Sequence, residues 1–195
     1  MLELIGSRRS PSRRGKRRTV VAKRRDQIPS KVFPPYWRDV LPEMRKAYGG
    51  LCAYLAMYLE PATGSSSVDH VVPRSQGWKL VYEWSNYRLA ASLINARKSD
   101  LELLLDPVSI DDGLFAMDFA IMEVAPGSGA TGDMRRKVKD TIITLGINLK
   151  DCVDQRTEYF DDYKSGDISL TYLTRRAPFI ASELRRQGQL NPGDV

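Results

Sequence analysis

The separation of charge along this chain limits most strongly what it can fold into. Residues 1–25 contain ten Lys or Arg side chains and a single acid, Glu3, so this segment has a net charge of +9. The rest of the chain holds 20 basic and 23 acidic residues, for a net charge of −3. A segment so charged and so poor in apolar residues cannot bury a core, and we expect it to be disordered when free. Residues 1–27 are therefore interpreted as a flexible basic arm, and the core must form beyond them.

The basic arm indicates a polyanionic partner. Lys and Arg side chains contact phosphate backbones, and the release of counterions drives that binding. We therefore predict that the arm binds DNA through its ten cations, which are Arg8, Arg9, Arg13, Arg14, Lys16, Arg17, Arg18, Lys23, Arg24 and Arg25. The alternatives are a solubilising tail and a segment that binds an acidic protein.

The composition of the whole chain argues against a membrane protein and a disulfide-rich secreted protein. Hydrophobic residues make up 42% and charged residues 28%, which is typical of globular domains. No apolar run approaches the roughly 18 residues of a membrane span. The short apolar start precedes the basic stretch, which is the reverse of a signal peptide. The two cysteines, Cys52 and Cys152, are too few for a disulfide framework or a four-cysteine zinc site. We predict a cytoplasmic protein with no membrane partner.

Turn residues and apolar spacing divide the chain beyond the arm into short elements. The predicted elements are, in chain order, a helical segment at 36–50 with Pro42 in a first turn, a strand or buried helix at 51–60, strands in VDHVV and NYRLA, and a helix at 91–105. A long loop joins the two strands and carries several aromatic residues. Those expected to pack as anchors, and not to stack on bases, are Trp78, Tyr82, Trp84 and Tyr87.

Past Asp106 and Pro107 the composition changes and favours helices. The predicted elements are a strand or hairpin at 112–124 and helical segments at 134–147, 151–166 and 172–188. The first of these helices is expected to end at Gly146, and the last is interrupted at Pro178. We therefore predict an α+β fold. Residues 28–106 form its first domain, and residues 107–195 form a mainly helical extension that can pack with it as one unit.

The polar residues of the first domain suggest phosphodiester chemistry. Asp69 and His70, the only histidine, lie at the end of a predicted strand. Asn86 begins the next strand, and Asn95 lies in the helix. A carboxylate oxygen and an amide oxygen are hard ligands, which suit Mg²⁺ better than zinc. A neutral histidine beside such a metal can accept a proton from water near pH 7. Taken alone, His70 could also be a packed strand residue.

The stretch VDHVVPRS…YEWSNYRLAASLINARKSD resembles the HNH endonuclease superfamily, whose core is a ββα-metal hairpin and helix. Its N-x8-N-x2-K ending is similar to the HNH domain of RNA-guided CRISPR nucleases. The resemblance implies that His70 is the general base and that Asp69 and Asn95 bind the metal. It also implies that Asn86 pins the loop and orients His70 through backbone contacts. We expect phosphate contacts from three cations, which are Arg74, Arg97 and Lys98.

The chain departs from the common family pattern in its zinc ligands. Many members hold the hairpin to the helix with a zinc ion bound by two cysteine pairs, the first written C-x-Y-C. Here that stretch is CAYL, from Cys52 to Leu55, and the second pair would fall near Ala91 and Ile94. We therefore expect no structural zinc, and we expect apolar packing by Leu55, Ala91 and Ile94 in its place.

The resemblance predicts a metal-dependent HNH endonuclease that nicks or cleaves DNA with Mg²⁺ or Mn²⁺ and leaves 5′-phosphate and 3′-hydroxyl ends. The wording YEWSNYRLA resembles HNH components of multi-protein anti-phage defence systems such as Zorya or Septu. That likeness implies a role in bacterial defence or restriction, with other defence proteins as partners. The alternatives are a catalytically inactive HNH-fold module that binds nucleic acid and a structural RNA-binding protein. The net acidic body argues against the latter.

Overall fold

The computed structural model describes residues 33–62, 65–101 and 105–195. The ten cations of the basic arm that are predicted to bind DNA lie outside these residues. Within the described ranges the chain forms six α-helices and two antiparallel sheets of two strands each, which confirms the α+β prediction. None of the described helices combines the length and the apolar character that a membrane crossing requires.

The part that precedes the first sheet is a pair of short helices. A 3-10 helix, Tyr36–Arg38, leads into helix α1, Leu41–Ala47. Pro42 lies in the first turn of α1, as predicted, because a backbone N–H has no partner at that position in any helix. This part of the chain packs Trp37 and Met44 into the interior.

Residues 51–60 form neither the strand nor the buried helix expected of them. They make a turn that is closed by an isolated β-bridge. The N–H of Ala53 donates to the carbonyl of Leu89 at 2.8 Å, and the N–H of Tyr58 donates to the carbonyl of Arg176 at 2.8 Å. Two distant segments thus satisfy backbone groups that a helix would satisfy within itself and a strand would satisfy along one regular ladder. The prediction was wrong because those partners cannot be seen in a local pattern.

The first sheet and the helix after it carry most of the predicted site residues. Strand β1, Ser66–His70, pairs antiparallel with β2, Tyr87–Ala91, and helix α2, Ser92–Lys98, follows β2 directly. Both predicted strands are present, although β1 lies two residues earlier than predicted. Helix α2 is shorter than the predicted 91–105, because Ser99 has a φ of 49°, outside the helical region.

The loop between β1 and β2 is ordered by two 3-10 turns, Trp78–Leu80 and Trp84–Asn86. Tyr87 is buried at the end of this loop, as expected, and Trp84 is half-buried. Tyr82 is 37% exposed, but its ring packs against Trp37 as expected, whereas Trp78 differs from the expectation because its ring is exposed. Three of the four aromatic residues therefore pack as expected, and Trp78 does not.

The C-terminal part follows its prediction closely. A hairpin of β3, Phe115–Asp118, and β4, Glu123–Pro126, precedes helices α3, Gly132–Leu145, α4, Lys150–Ser165, α5, Leu170–Arg176, and α6, Pro178–Arg186. Helices α3 and α4 end at Gly146 and Gly166, whose φ values of 68° and 88° suit a left-handed cap. Pro178 begins α6, at the interruption that was predicted.

Two hydrophobic clusters form the core. The first surrounds the sheet of β1 and β2 and includes Met44 and Leu89, and the second is built mainly by the C-terminal helices. Ile94 of α2 belongs to the second cluster, whereas Leu55 and Ala91 pack against both. The C-terminal helices therefore pack directly against the unit formed by β1, β2 and α2.

Candidate active site

Helix α2 lies across β1 and brings two polar side chains to it. The Asn95 Nδ2 group donates to Ser67 Oγ at 3.1 Å and to the Val68 carbonyl at 3.3 Å. One turn further along, the Lys98 ammonium donates to Asp69 Oδ1 at 3.1 Å and to the carbonyl of His70. Side chains three apart on a helix share a face, and for that reason both reach the same strand.

Asp69 is a buried carboxylate with both oxygens engaged. Its residue exposure is 2%, and its Oδ2 accepts a hydrogen bond from the Tyr54 hydroxyl while its Oδ1 accepts from Lys98. Burial, followed by the negative charge of Asp69, raises the pKa of Tyr54, so the phenol stays protonated and acts as the donor. The carboxylate is thus compensated by one cation and one hydroxyl.

His70 lies on the opposite face of β1 from Asp69, because side chains alternate along a strand. Its ring packs edge-on against the rings of Trp37 and Tyr87, with centroid distances of 5.2 and 5.1 Å. Its Nε2 atom is 3.0 Å from the carbonyl oxygen of Val81. A carbonyl can only accept, so this contact assigns the ring hydrogen to Nε2 and leaves the lone pair on Nδ1.

The environment of His70 keeps the imidazole neutral. Burial lowers its pKa to about 4, and the nearby charge of Arg74 acts in the same direction. At pH 7 the ring is therefore neutral, with a hydrogen on Nε2 and a lone pair on Nδ1. Among the described residues, Nδ1 has no hydrogen-bond partner. The imidazole is thus held in one orientation, with Nδ1 as the ring nitrogen that could accept a proton.

Asn86 holds the loop that orients His70. Its Oδ1 accepts from the Val72 N–H at 2.8 Å, and its Nδ2 donates to the Val72 carbonyl at 3.1 Å and to the Leu80 carbonyl at 3.2 Å. These bonds join the start of the loop to the residue that precedes Val81. The Tyr87 hydroxyl also donates to the Val81 carbonyl, at 2.7 Å. The carbonyl that faces His70 is thus held from two sides.

The three cations predicted to contact phosphate lie in different environments. Arg74 is half-buried, with its guanidinium carbon 4.5 Å from the centre of the Trp37 ring. Arg97 is exposed in the last turn of α2. Lys98 is fully buried, which differs from the expectation, because its ammonium is bound by Asp69 and the His70 carbonyl. In this arrangement Lys98 faces the interior, and only Arg74 and Arg97 are accessible.

The donor atoms expected to bind Mg²⁺ fit a hard cation in kind. A carboxylate and an amide oxygen are the ligands that Mg²⁺ takes while it keeps several waters. The Oδ1 of Asn95 accepts no hydrogen bond from the described residues. The Asp69 oxygens are engaged, but each has a second lone pair. The Lys98 ammonium is bound to the same carboxylate, so it would compete there with a metal ion. Within the described ranges, no group of three or more His, Cys, Asp or Glu could hold a metal.

The positions at which the HNH resemblance would place further zinc cysteines hold apolar side chains. Cys52 is buried, and its Sγ accepts from the N–H of Ala91 at 3.4 Å. Leu55 and Ala91 pack between the two hydrophobic clusters, and Ile94 is buried in the second. Contacts of these side chains therefore join the hairpin of β1 and β2 to helix α2.

Sequence reasoning missed several residues around the site. Tyr54 binds Asp69, and Trp37 packs on His70, yet neither was predicted to take part. Tyr54 lies within the quoted CAYL stretch, but nothing local indicates that its hydroxyl reaches a residue 15 positions away. Val81 acts through its backbone carbonyl, which no side-chain pattern can reveal. Comparison of this chain with protein-family models and with curated proteins found no match to either.

Proposed function

We propose that this protein is a metal-dependent endonuclease of the HNH type that hydrolyses DNA phosphodiester bonds. The observation that supports it most directly is the contact between His70 Nε2 and the Val81 carbonyl. That contact orients a neutral imidazole with Nδ1 as the proton acceptor, beside a strand end that also carries Asp69. The order β1, β2 and α2, with Asn95 and Lys98 on the face of α2 toward β1, is compatible with the ββα unit implied by the resemblance.

Each residue has a chemical role in this proposal. His70 Nδ1 accepts a proton from the water that attacks phosphorus, the bond from phosphorus to the 3′-oxygen breaks, and the leaving 3′-oxygen takes a proton from solvent water. Asn86 holds the loop that positions His70. Asp69 and Asn95 would hold Mg²⁺ or Mn²⁺, which when bound supplies positive charge against the charge that develops on the phosphate. Arg74, next to the His70 ring, is placed to contact a phosphate.

Cleavage of supercoiled plasmid tests this proposal. The wild type and His70→Ala are incubated with Mg²⁺, Mn²⁺ or EDTA, and the nicked and linear products are separated on a gel. We expect the wild type to produce nicked DNA with either metal and none in EDTA, because one chain carries one site. His70→Ala should bind DNA normally and cut at the background rate. Equal cleavage by the two proteins would overturn the role of His70.

The proposed DNA affinity of the basic arm is tested separately from cleavage. Removal of residues 1–25 takes away ten cations, so binding should weaken and its dependence on salt concentration should flatten. The measurement is fluorescence anisotropy with a labelled duplex in EDTA over a range of salt concentrations. An unchanged salt dependence would show that the arm does not contact phosphates.

We place the protein in bacterial anti-phage defence or restriction, with other defence proteins as partners.

One observation favours a second candidate, an inactive HNH-fold module that binds nucleic acid. Lys98 already neutralises Asp69, so the site has a cation without any metal. In that case the wild type would bind DNA but would neither cleave it nor bind Mn²⁺. Titration of Mn²⁺ followed by electron paramagnetic resonance separates the two, because only the nuclease proposal requires binding that Asp69→Asn removes.

A further inference from the structure

Aromatic rings connect His70 to the protein surface. The Trp37 ring lies 5.2 Å from the His70 ring and 6.4 Å from the Tyr82 ring, to which it is nearly parallel at 25°. The Tyr36 ring lies 5.8 Å from the Tyr82 ring. We call Tyr36, Trp37 and Tyr82 the aromatic surface. It forms a continuous row of rings that starts at the proposed base and ends in solvent.

Exposure along this row increases with distance from His70. Trp37 is almost fully buried, Tyr82 is 37% exposed and Tyr36 is 57% exposed. The Tyr82 hydroxyl donates to the Pro34 carbonyl at 2.9 Å, which ties the loop after β1 to the segment that carries Tyr36. The outer rings are therefore held in place although they are not buried. Fixed, exposed rings next to a candidate site are characteristic of a binding surface rather than of packing.

The charges around the aromatic surface favour a nucleic acid as its occupant. The Arg74 guanidinium lies over the Trp37 ring, with its carbon 4.5 Å from the ring centre. In the sequence, the segment with a net charge of +9 ends 11 residues before Tyr36. A chain with Arg74 at these rings and so many cations in its arm attracts a polyanion and repels a basic peptide.

Flat rings select the part of the nucleic acid that can bind. A base stacks on an aromatic side chain only when its face is uncovered, and the base pairs inside a duplex cover each other's faces. Stacking is also tolerant of sequence, since every base has a π-face. We propose that the aromatic surface binds unpaired bases, so that the substrate is DNA with a single-stranded region next to the cleavage point. This inference rests on the proposed function and specifies its substrate class.

Binding of a single-stranded oligonucleotide that carries one 2-aminopurine tests the inference. All measurements are made in EDTA, so cleavage has no part in them. Variant Tyr36→Leu keeps an apolar side chain and removes the ring, and Ile143→Ala on α3 is the control, because Ile143 is 72% exposed and lies outside the aromatic surface. We expect the emission of 2-aminopurine to change on binding to the wild type and to Ile143→Ala. Tyr36→Leu should bind about tenfold more weakly with a smaller emission change.

Further readouts separate stacking from other causes. The salt dependence of binding should be the same for Tyr36→Leu and the wild type, because no phosphate contact is removed. The wild type should bind the single strand more tightly than a blunt duplex of equal length. Equal affinity of Tyr36→Leu and the wild type, or an unchanged 2-aminopurine signal on binding, would overturn the inference. Plasmid cleavage without a stacking signal would contradict this inference and leave the nuclease proposal intact. A stacking signal without cleavage would contradict the nuclease proposal and leave the binding of unpaired bases intact.

Discussion

Two asparagine side chains in this protein make the same contact in different settings. Asn86 accepts from the Val72 N–H at 2.8 Å and donates to the Val72 carbonyl at 3.1 Å. Asn148, in the C-terminal part, accepts from the Val124 N–H and donates to the Val124 carbonyl, both at 2.9 Å. Each amide therefore replaces a strand partner and fixes a loop to an extended segment. The contact by itself is structural in both places.

We call this pair of hydrogen bonds between one asparagine and one valine backbone the asparagine clamp. The two regions differ in what lies beside the clamp. The loop held by Asn86 presents the Val81 carbonyl to His70, a group that can take up a proton. The loop held by Asn148 contacts the buried Arg156, whose hydrogen bonds go to two backbone carbonyls and to Asn148 itself. A guanidinium stays charged at any accessible pH and cannot act as a base. The same clamp thus holds a loop against the proposed base in one region and against a buried arginine in the other.

Two buried cations, Arg156 and Lys98, differ in the same way. Arg156 is surrounded by neutral acceptors, whereas Lys98 is paired with the carboxylate of Asp69. A carboxylate that has accepted one cation can accept another in its place. We therefore expect a metal to compete with Lys98 at Asp69, whereas the neutral acceptors around Arg156 offer no such carboxylate.

The largest expected effect comes from Lys98→Met. It leaves the Asp69 carboxylate buried without its cation, which should lower the free energy of unfolding by about 3–5 kcal/mol. Addition of Mg²⁺ should then raise the melting temperature of Lys98→Met more than that of the wild type, because the metal can replace the lost charge. Differential scanning calorimetry with and without Mg²⁺ measures both effects.

Two further variants serve as controls for Lys98. Arg156→Met should also be less stable, but its melting temperature should not respond to Mg²⁺ any more than the wild type does. The double variant Asp69→Asn/Lys98→Met removes both charges, so it should recover part of the lost stability and show no Mg²⁺ response. A Mg²⁺ response that persists in the double variant would place the metal elsewhere.

The second effect concerns the proton equilibrium of His70. Its pKa is lowered from its ordinary value of 6.5 to about 4, so between these pH values the unfolded chain binds more protons than the folded one. Stability contributed by the neutral ring is complete above pH 6.5 and is lost as pH falls toward 4, by about 3 kcal/mol in total. Denaturant unfolding of the wild type and His70→Gln from pH 7.5 to 4 measures it.

The comparison with His70→Gln isolates this one group. Gln can keep a donor near the Val81 carbonyl but does not titrate, so the other ionisable groups cancel in the difference between the two proteins. That difference should change in favour of the variant as the pH is lowered. A difference that stays constant over the whole range would show that the imidazole is not held neutral by burial.

The third effect separates the two asparagine clamps. Asn86→Ala should reduce plasmid cleavage about 100-fold, because a general base that loses its orientation loses most of its contribution. Asn148→Ala should leave cleavage within about threefold of the wild type. Both rates are measured at a temperature where circular dichroism shows that both variants are folded. Equal losses of cleavage would mean that the Asn86 clamp acts through stability alone.

The smallest effect is expected at an exposed cation of α2. Arg97→Ala should weaken DNA binding a few-fold and reduce the slope of log affinity against log salt by about 0.9, as for one lost phosphate contact. Arg175→Ala on α5 is the matched control, since Arg175 is also an exposed arginine in the last turn of a helix. Anisotropy titrations at several salt concentrations measure both variants. Identical slopes would remove Arg97 from the proposed interface.

Local signals predicted much of the fold. Pro42, Gly146 and Pro178 mark the helix ends or starts at which they were expected, because their effects depend only on the backbone beside them. The β-branched and alternating segments became the two hairpins. Residues 51–60 were predicted wrongly, since their backbone partners are Leu89 and Arg176, and local spacing carries no trace of them.

The sequence by itself determined the charge division between arm and body, the α+β class, and the presence of Asp69 and His70 at a strand end ahead of Asn86 and Asn95. Only the tertiary structure decided which groups face those side chains. The partners that define the site are 11, 15 and 29 residues away in the chain: the Val81 carbonyl at His70, and Tyr54 and Lys98 at Asp69. Strand and helix patterns arise from neighbours within a few residues, whereas the state of a buried polar group depends on whatever packs around it.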